Sequence, residues 1–389
     1  MMYLNSNDNG NSHYHSGRFF WMLKEIWKIL TIAFIIRLAI ALFIPTVPIS
    51  DCGWYNKTAI SIARTGTFSI HNEPTAYRTP GYPAVLGIIY YIWGEKAIFG
   101  YILNAILGTL AILLLALILQ KYTSGWKTVI WAFALFPEHI LYTNTLATEI
   151  LFQMLILLWL FLIIKRKNIF SAMVAGIMIY VRSVALFLPL LPIFWDRKHW
   201  KRYFAMWIIA MGLVAPWVIR NNIVMNSPTI STNFWVNLWI GNSSESYGGY
   251  FDPQHPDFST EIEQEKWFRQ KLLSDIMKNP FRPLLLLPLK FTYFTFPSIT
   301  PAVWGLAGVA GKNTIRFVQV ILTIINSLLI ILVILILFRK KLPIPFMVIM
   351  IYFLGISLIF FGADRYRFPI LPILLFIVFS SIKSDEPKE

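Results

Sequence analysis

The chain carries one cysteine, Cys52, in 389 residues, which excludes an internal disulfide and a cysteine-rich metal site. Acids are scarce, 19 Asp and Glu against 34 Lys and Arg. Charge of either sign makes up only 14% of the residues, too little to coat a soluble domain of this length. No His, Asp or Glu spacing matches a dedicated metal site. The strand-length alternation of an outer-membrane barrel is missing, as is the internal repeat common in transporters.

What is present is apolar. Hydrophobic residues make up 57% of the chain and aromatic residues 16%, and mean hydropathy is +0.61. The apolar runs have helical length, so the sequence predicts an all-α polytopic membrane protein. Its formal charge of +15 sits in short clusters between those runs, at 165–167, 196–202 and 339–341. Such clusters hold membrane loops in the cytoplasm, so no nucleic-acid partner is expected.

Residues 1–20 have no apolar core and read as a disordered cytoplasmic tail. A membrane domain over 21–383 and a short cytoplasmic tail over 384–389 follow. Runs at 27–45, 98–119, 128–141 and 146–164 fit spans. Parity between a cytoplasmic start and the basic cluster at 165–167 makes 83–93, too short to cross, interfacial or re-entrant. Two short helices follow over 169–195 with Arg182 at their turn. Further spans fall at 203–219, 316–338, 343–361 and 368–382, about ten in all. The polar stretches 46–97 and 221–315 then lie outside, the first as a polar loop, the second as a small subdomain with an interfacial segment. Arg37, inside the first span, should face the bundle or a carboxylate, because an arginine in lipid is costly.

This topology collects Asp51, Arg78, Glu138, His139, Glu149, Arg182, Arg220, Asn221, Arg365 and Arg367 on the outer face. Arginine presents a planar fork of donors suited to phosphate and stays charged. Several arginines with a few carboxylates at a lipid boundary fit a site for a phosphate-bearing lipid. Each residue also has a plainer reading. Arg220, Arg365 and Arg367 can snorkel at helix ends, Glu149 can sit at a helix N-terminus where acids are favoured, and His139 can be an interfacial histidine.

The run Asp51, Trp54, Tyr55, followed by PTAYRTPGYP at 74–83, resembles the first outer loop of GT-C fold membrane glycosyltransferases. Further matching stretches are Phe136-Pro137 with Thr148-Glu149, Val181-Arg182, PWVIRNN leading into STNFWVNLWIGNSSESYGGY, and DRYRFPILP. The set is similar to the protein-mannosyltransferase and ArnT-like superfamily. That resemblance implies a GT-C fold with about ten transmembrane helices, periplasmic juxtamembrane helices and a small extracytoplasmic loop subdomain. It implies transfer of a sugar, with inversion, from a polyprenyl-phosphate carrier to a lipid, glycan or protein acceptor at the outer face of a bacterial cytoplasmic membrane. Asp51 takes the place of the acid acting on the acceptor and Glu149 that of a second acid. Arg78, Arg182, Arg220, Arg365 and Arg367 are the donor-phosphate candidates. Trp54, Tyr55, Tyr77, Tyr82, His139 and Asn221 would line the substrate.

Two departures bear on the acceptor. Protein O-mannosyltransferases carry an Asp-Glu pair where this chain has Asp51-Cys52, and a counterpart to the large C-terminal soluble domain of the aminoarabinose transferases is not expected. No cofactor is expected with certainty, and a divalent cation stays open. The competing functions are a transporter or flippase of a lipid-linked saccharide, an O-antigen ligase or polymerase using a diphosphate-linked donor, and a non-catalytic scaffold.

Overall fold

A computed structural model describes residues 12–380, with side chains described from residue 26 onward. The tail residues 1–11 and 384–389 lie outside the described residues. The first helix, Ser12–Phe43, takes in much of the segment expected to be disordered. Once a helix is nucleated each added residue gains a hydrogen bond, and 12–20 contains no proline to stop it. Among the described residues the only strands are the pair Ser69–Ile70 and Glu73–Pro74.

Four helices among the described residues are long and apolar enough to cross a membrane: Ile26–Phe43, Ala97–Leu119, Arg197–Met225 and Lys312–Leu337. Five shorter apolar helices lie among them, including Glu149–Ile164, Asn168–Val181 and Ile344–Ile359. At 1.5 Å per residue a 16-residue helix covers about 24 Å, short of a hydrocarbon core of about 30 Å. Their ends must therefore be satisfied by protein or water.

The run expected as one span at 128–141 is broken. Helix Trp126–Ala134 stops and Pro137–Tyr142 starts afresh, because Pro137 lacks an N–H and forces Phe136 into extended backbone. Arg37 fills the break. Its Nη1 donates to Ala134 O and Ala33 O, both at 3.0 Å, and its Nη2 lies 2.9 Å from His139 Nδ1. The arginine expected to face the bundle thus meets the carbonyl left orphaned where a helix is interrupted.

The first polar stretch is mostly helical, contrary to the loop expected there. Ser50–Thr65 begins with Asp51 in its first turn, favourable to the helix dipole, and ends at Gly66 with φ +69°, a left-handed cap that glycine tolerates best. Cys52, Tyr55 and Ala59 recur at helical spacing and are buried, so one face packs on helix Gly81–Trp93. A Cβ on Gly87 would lie 2.8 Å from Ile62 Cγ2 and 3.1 Å from Ala59 O, which is why the two helices can approach so closely.

The helices alternate between two ends. At one end the chain turns through Phe43 to Ser50, at Glu149, at Arg182, and from Phe360 to Arg367. These turns touch one another: Thr46 bonds Tyr101 and Asn144 O, and Arg365 bonds Glu149. At the other end lie the basic clusters, and there Tyr122 packs on Phe346 with ring centroids 5.0 Å apart.

The second polar stretch forms a cap over the first end. Helices Phe234–Asn242 and Glu261–Lys278 pack through Trp239 and Phe268, and Thr260 caps the latter by accepting from Glu263 N. Lys290, buried, donates to Asn242 Oδ1 and Leu358 O at 2.8 Å, tying the cap to the end of Ile344–Ile359. Burial and the neighbouring Glu261 raise the Glu265 carboxyl to about 7. An acid whose folded value is raised loses stability as pH rises from its ordinary value through the raised one. Glu265→Gln should therefore leave the melting temperature unchanged at pH 5 and raise it at pH 8. After discounting for solvent screening the gain is on the order of 1 kcal/mol, readable in parallel thermal melts.

Candidate active site

Four helix ends and one loop bring five charged side chains into a single row. Asp51 comes from the first turn of Ser50–Thr65, Arg78 from the loop before Gly81–Trp93, and Glu149 from the start of Glu149–Ile164. Arg182 caps Asn168–Val181, and Arg365 lies in the turn Asp364–Arg367. Arg78 Nη2 donates to Asp51 Oδ1 at 2.5 Å, and Arg365 Nη1 donates to Asp51 Oδ2. Arg365 Nε donates to Glu149 Oε1 at 2.6 Å, and Arg182 Nη1 reaches the same oxygen at 3.3 Å. The signs alternate from Arg78 through Asp51, Arg365 and Glu149 to Arg182. Three guanidiniums against two carboxylates leave one positive charge over.

Aromatic faces frame the cations. Arg78 lies 5.3 Å from the Tyr77 ring, 5.8 Å from Tyr55 and 5.9 Å from Trp54. Arg365 sits 4.5 Å over Trp304, and Arg182 lies between Phe152 and Tyr366. Asp364, the residue before Arg365, accepts from Ile299 N, Thr300 N and Thr300 Oγ1 at 2.6 to 2.7 Å. Two successive residues thus grip the short helix Thr300–Gly305, one at its start and one on its tryptophan.

A cavity of about 260 Å³ opens beside the row, with Asp51, Arg78, Arg182 and Arg365 in its wall. Burial pushes the Asp51 carboxyl up, but Arg78 and Arg365 outweigh it and hold it below its ordinary range. Burial works against the Arg365 charge in turn, and Glu149 and Asp51 keep that guanidinium well above its ordinary value. Cys52 points into the core, 2% exposed, and burial raises its thiol, so it adds no charge where the mannosyltransferase pattern has a second acid. Among the described residues no three His, Cys, Asp or Glu side chains converge as metal ligands would.

The remaining candidates fall elsewhere. Glu149 is fully buried behind the wall and reaches the cavity only through Arg365 and Arg182. Arg367, 1% exposed, donates to Phe294 O and Thr295 O and pairs with Glu138 at 3.5 Å, so its fork closes a helix end. His139 is buried against Arg37. Tyr82 stands one layer behind Tyr55, ring centroids 5.7 Å apart. Arg220 Nη1 and Nη2 donate to Thr75 O and Phe68 O, and Asn221 holds Thr229 O at 2.7 Å. Arg220 therefore braces the loop that carries Arg78, Asn221 accepts from Arg220 and ties it to Thr229, and neither lines the cavity.

Sequence reasoning missed several members of the site. Trp304, Tyr250, Tyr366, Ser183 and Asn237 line the cavity, and only the positions of Tyr366 inside DRYR and of Asn237 and Tyr250 inside STNFWVNLWIGNSSESYGGY hinted at this. Glu261 is the other omission. Its carboxylate accepts from Thr75 Oγ1, from Ala76 N at 3.0 Å and from Thr232 Oγ1 at 2.8 Å, clamping the Arg78 loop to the cap. In the sequence it is one acid of the run Glu261, Glu263, Glu265 in a polar stretch, with nothing to set it apart. Glu261→Ala leaves three donors without their acceptor, and each hydrogen bond to a charged group contributes about 1.5–3 kcal/mol. Loss of at least about 2 kcal/mol in denaturation is expected, with protease cleavage appearing near residue 75.

The fold and site define a class: a polytopic helical membrane protein with an arginine-walled, carboxylate-containing cavity at one end of its bundle. No protein-family model matches the chain, and no curated protein does. Two solved structures are similar, both of ArnT from Cupriavidus metallidurans. The form bound to undecaprenyl phosphate shares 13% identity with a TM-score of 0.46, covering 92% of this chain and 78% of that one. The apo form shares 12% with a TM-score of 0.47 at the same coverage.

Proposed function

We propose that the protein is a membrane glycosyltransferase that moves a sugar from a polyprenyl-phosphate donor to an envelope acceptor, a lipid, glycan or protein, with inversion. The observation that carries this is the alternating row of three arginines and two carboxylates beside a cavity at the helix ends. Its single excess positive charge matches the single negative charge of a phosphodiester-linked sugar. A diphosphate-linked donor would bring more negative charge than the row offsets, which ranks the ligase reading second. The basic clusters stand at the far end of the same helices, and loops rich in Lys and Arg stay cytoplasmic. The cavity then faces the periplasmic or extracellular side of the bacterial inner membrane.

In one displacement the acceptor oxygen attacks the anomeric carbon, the carbon–oxygen bond to the carrier phosphate breaks, and the acceptor proton passes to Asp51. A general base works best with its pKa near the working pH, whereas Asp51 with its two guanidinium partners is too weak. The donor phosphate resolves this by taking over donors from Arg78 and Arg365, which releases the Asp51 oxygens and lifts their affinity for a proton. The arginines then stabilise the charge gained by the leaving phosphate. Glu149 acts as a positioning residue for Arg365 and Arg182 and has no contact with substrate.

The test is transfer by the purified protein in lipid vesicles. Labelled polyprenyl-phosphate sugar and a membrane extract from cells lacking the gene should yield labelled product, identified by mass spectrometry. An unchanged envelope glycan profile in the deletion strain, together with no transfer in vitro, would sink the assignment. Movement of intact lipid-linked saccharide between leaflets without cleavage would replace it with a flippase.

A further inference from the structure

A second cavity, of about 600 Å³, lies between helices Leu287–Thr295, Lys312–Leu337, Ile344–Ile359 and Leu371–Phe379. Its walls are apolar, with Ile330, Val333, Met347, Met350 and Leu354 among them, and its charged residues stand only at its two ends. Arg367 is at one end and Lys340 with Lys341 at the other. The ends are not equivalent. The Arg367 guanidinium is buried, its Nη1 donates to Phe294 O and Thr295 O and its Nη2 pairs with Glu138, so its charge is already met by a carboxylate. Lys340 and Lys341 are exposed beyond the end of Lys312–Leu337. An amphiphile with one anionic head therefore fits in one direction, with its head on the lysines and its tail towards Arg367.

Length points to the same occupant. The wall from Ile344 to Leu354 rises about 15 Å at 1.5 Å per residue, half of a hydrocarbon core of about 30 Å. That is the depth of one leaflet and suits an acyl chain. A polyprenyl donor reacting at the Asp51 cavity would have its phosphate at the opposite end of the bundle. Basic pockets between membrane helices on the cytoplasmic side take anionic lipid headgroups.

We propose that this groove is a binding site for one acidic diacyl phospholipid of the leaflet on the basic side, with its phosphate on Lys340 and Lys341. The test uses the full-length protein, delipidated in detergent and mixed with phosphatidylglycerol or phosphatidylcholine before native mass spectrometry. Phosphatidylglycerol should be retained roughly thirtyfold better, from about 1 kcal/mol for each of the two lysines near the surface. Lys340→Gln with Lys341→Gln should erase the preference, and Met350→Trp, which fills the groove, should lower retention of phosphatidylglycerol while the lysines remain. Equal retention of the two lipids, or a preference that survives the double substitution, overturns the proposal. So does displacement of phosphatidylglycerol by equimolar polyprenyl phosphate that is itself lost in Met350→Trp, which would assign the groove to the donor tail.

Discussion

Asp51→Asn should lower sugar transfer by about 10²- to 10⁴-fold, the usual contribution of a positioned general base, while donor binding is kept or strengthened. The two halves of that expectation have different causes. Asparagine keeps the size of the side chain, so Arg365 still holds Glu149 and Arg78 still rests among Tyr77, Tyr55 and Trp54. What disappears is the acceptor for the incoming proton, and with it the carboxylate that competes with the donor phosphate for two arginines. A structural role for Asp51 predicts the opposite pattern, weaker donor binding together with slower transfer. Isothermal titration with a polyprenyl phosphate and single-turnover transfer rates on the same preparation separate the two. Full turnover in Asp51→Asn removes Asp51 from the chemistry.

Hydropathy and charge made the membrane character, the long helices and the polarity of the bundle readable, because each rests on composition summed over many residues. Arg182 was legible for a related reason, since a charge flanked by apolar sequence needs a partner, whereas Asp51, Arg78 and Arg365 stood out through their placement on the outer face and the family resemblance of their stretches. Which partner each one finds was not legible. Arg365 and Arg367 are two residues apart in one short motif, yet one faces the cavity and the other closes the end of Leu287–Thr295. Two residues along a helix turn a side chain by about 200°, so the pair must point apart, and the spacing carries no record of which one takes the cavity. Cap residues such as Glu261 and Trp304 stayed hidden because their contacts reach across chain separations of 29 to 186 residues. They look like ordinary surface positions until the chain folds. The break at Pro137 was the opposite case, since its cause is local and it was missed by reading hydropathy across a proline.

Arg365→Met should be the most destabilising single change in the site, by about 3–5 kcal/mol, the range found when one partner of a buried ion pair is removed. Arg365 is the hub of the row: its Nε serves Glu149, its Nη1 serves Asp51, and its plane covers Trp304. Without it, Glu149 stays fully buried with Arg182 at 3.3 Å and the Thr148 hydroxyl at 3.5 Å. Arg365→Lys keeps the charge but loses the fork, and one ammonium on a flexible stem cannot hold both carboxylates in the same geometry. It should therefore recover part of the stability and little of the donor affinity. The decisive comparison is the double variant Arg365→Met with Glu149→Gln, which removes the charge that the single change strands. If stranding is the cost, the double variant should be less destabilised than the sum of the two single changes by at least about 1 kcal/mol, within the coupling range for residues in one salt-bridge network. Denaturation of all four proteins in the same detergent measures it, and strict additivity would mean that Glu149 and Arg365 do not depend on each other and that the row is a set of independent pairs.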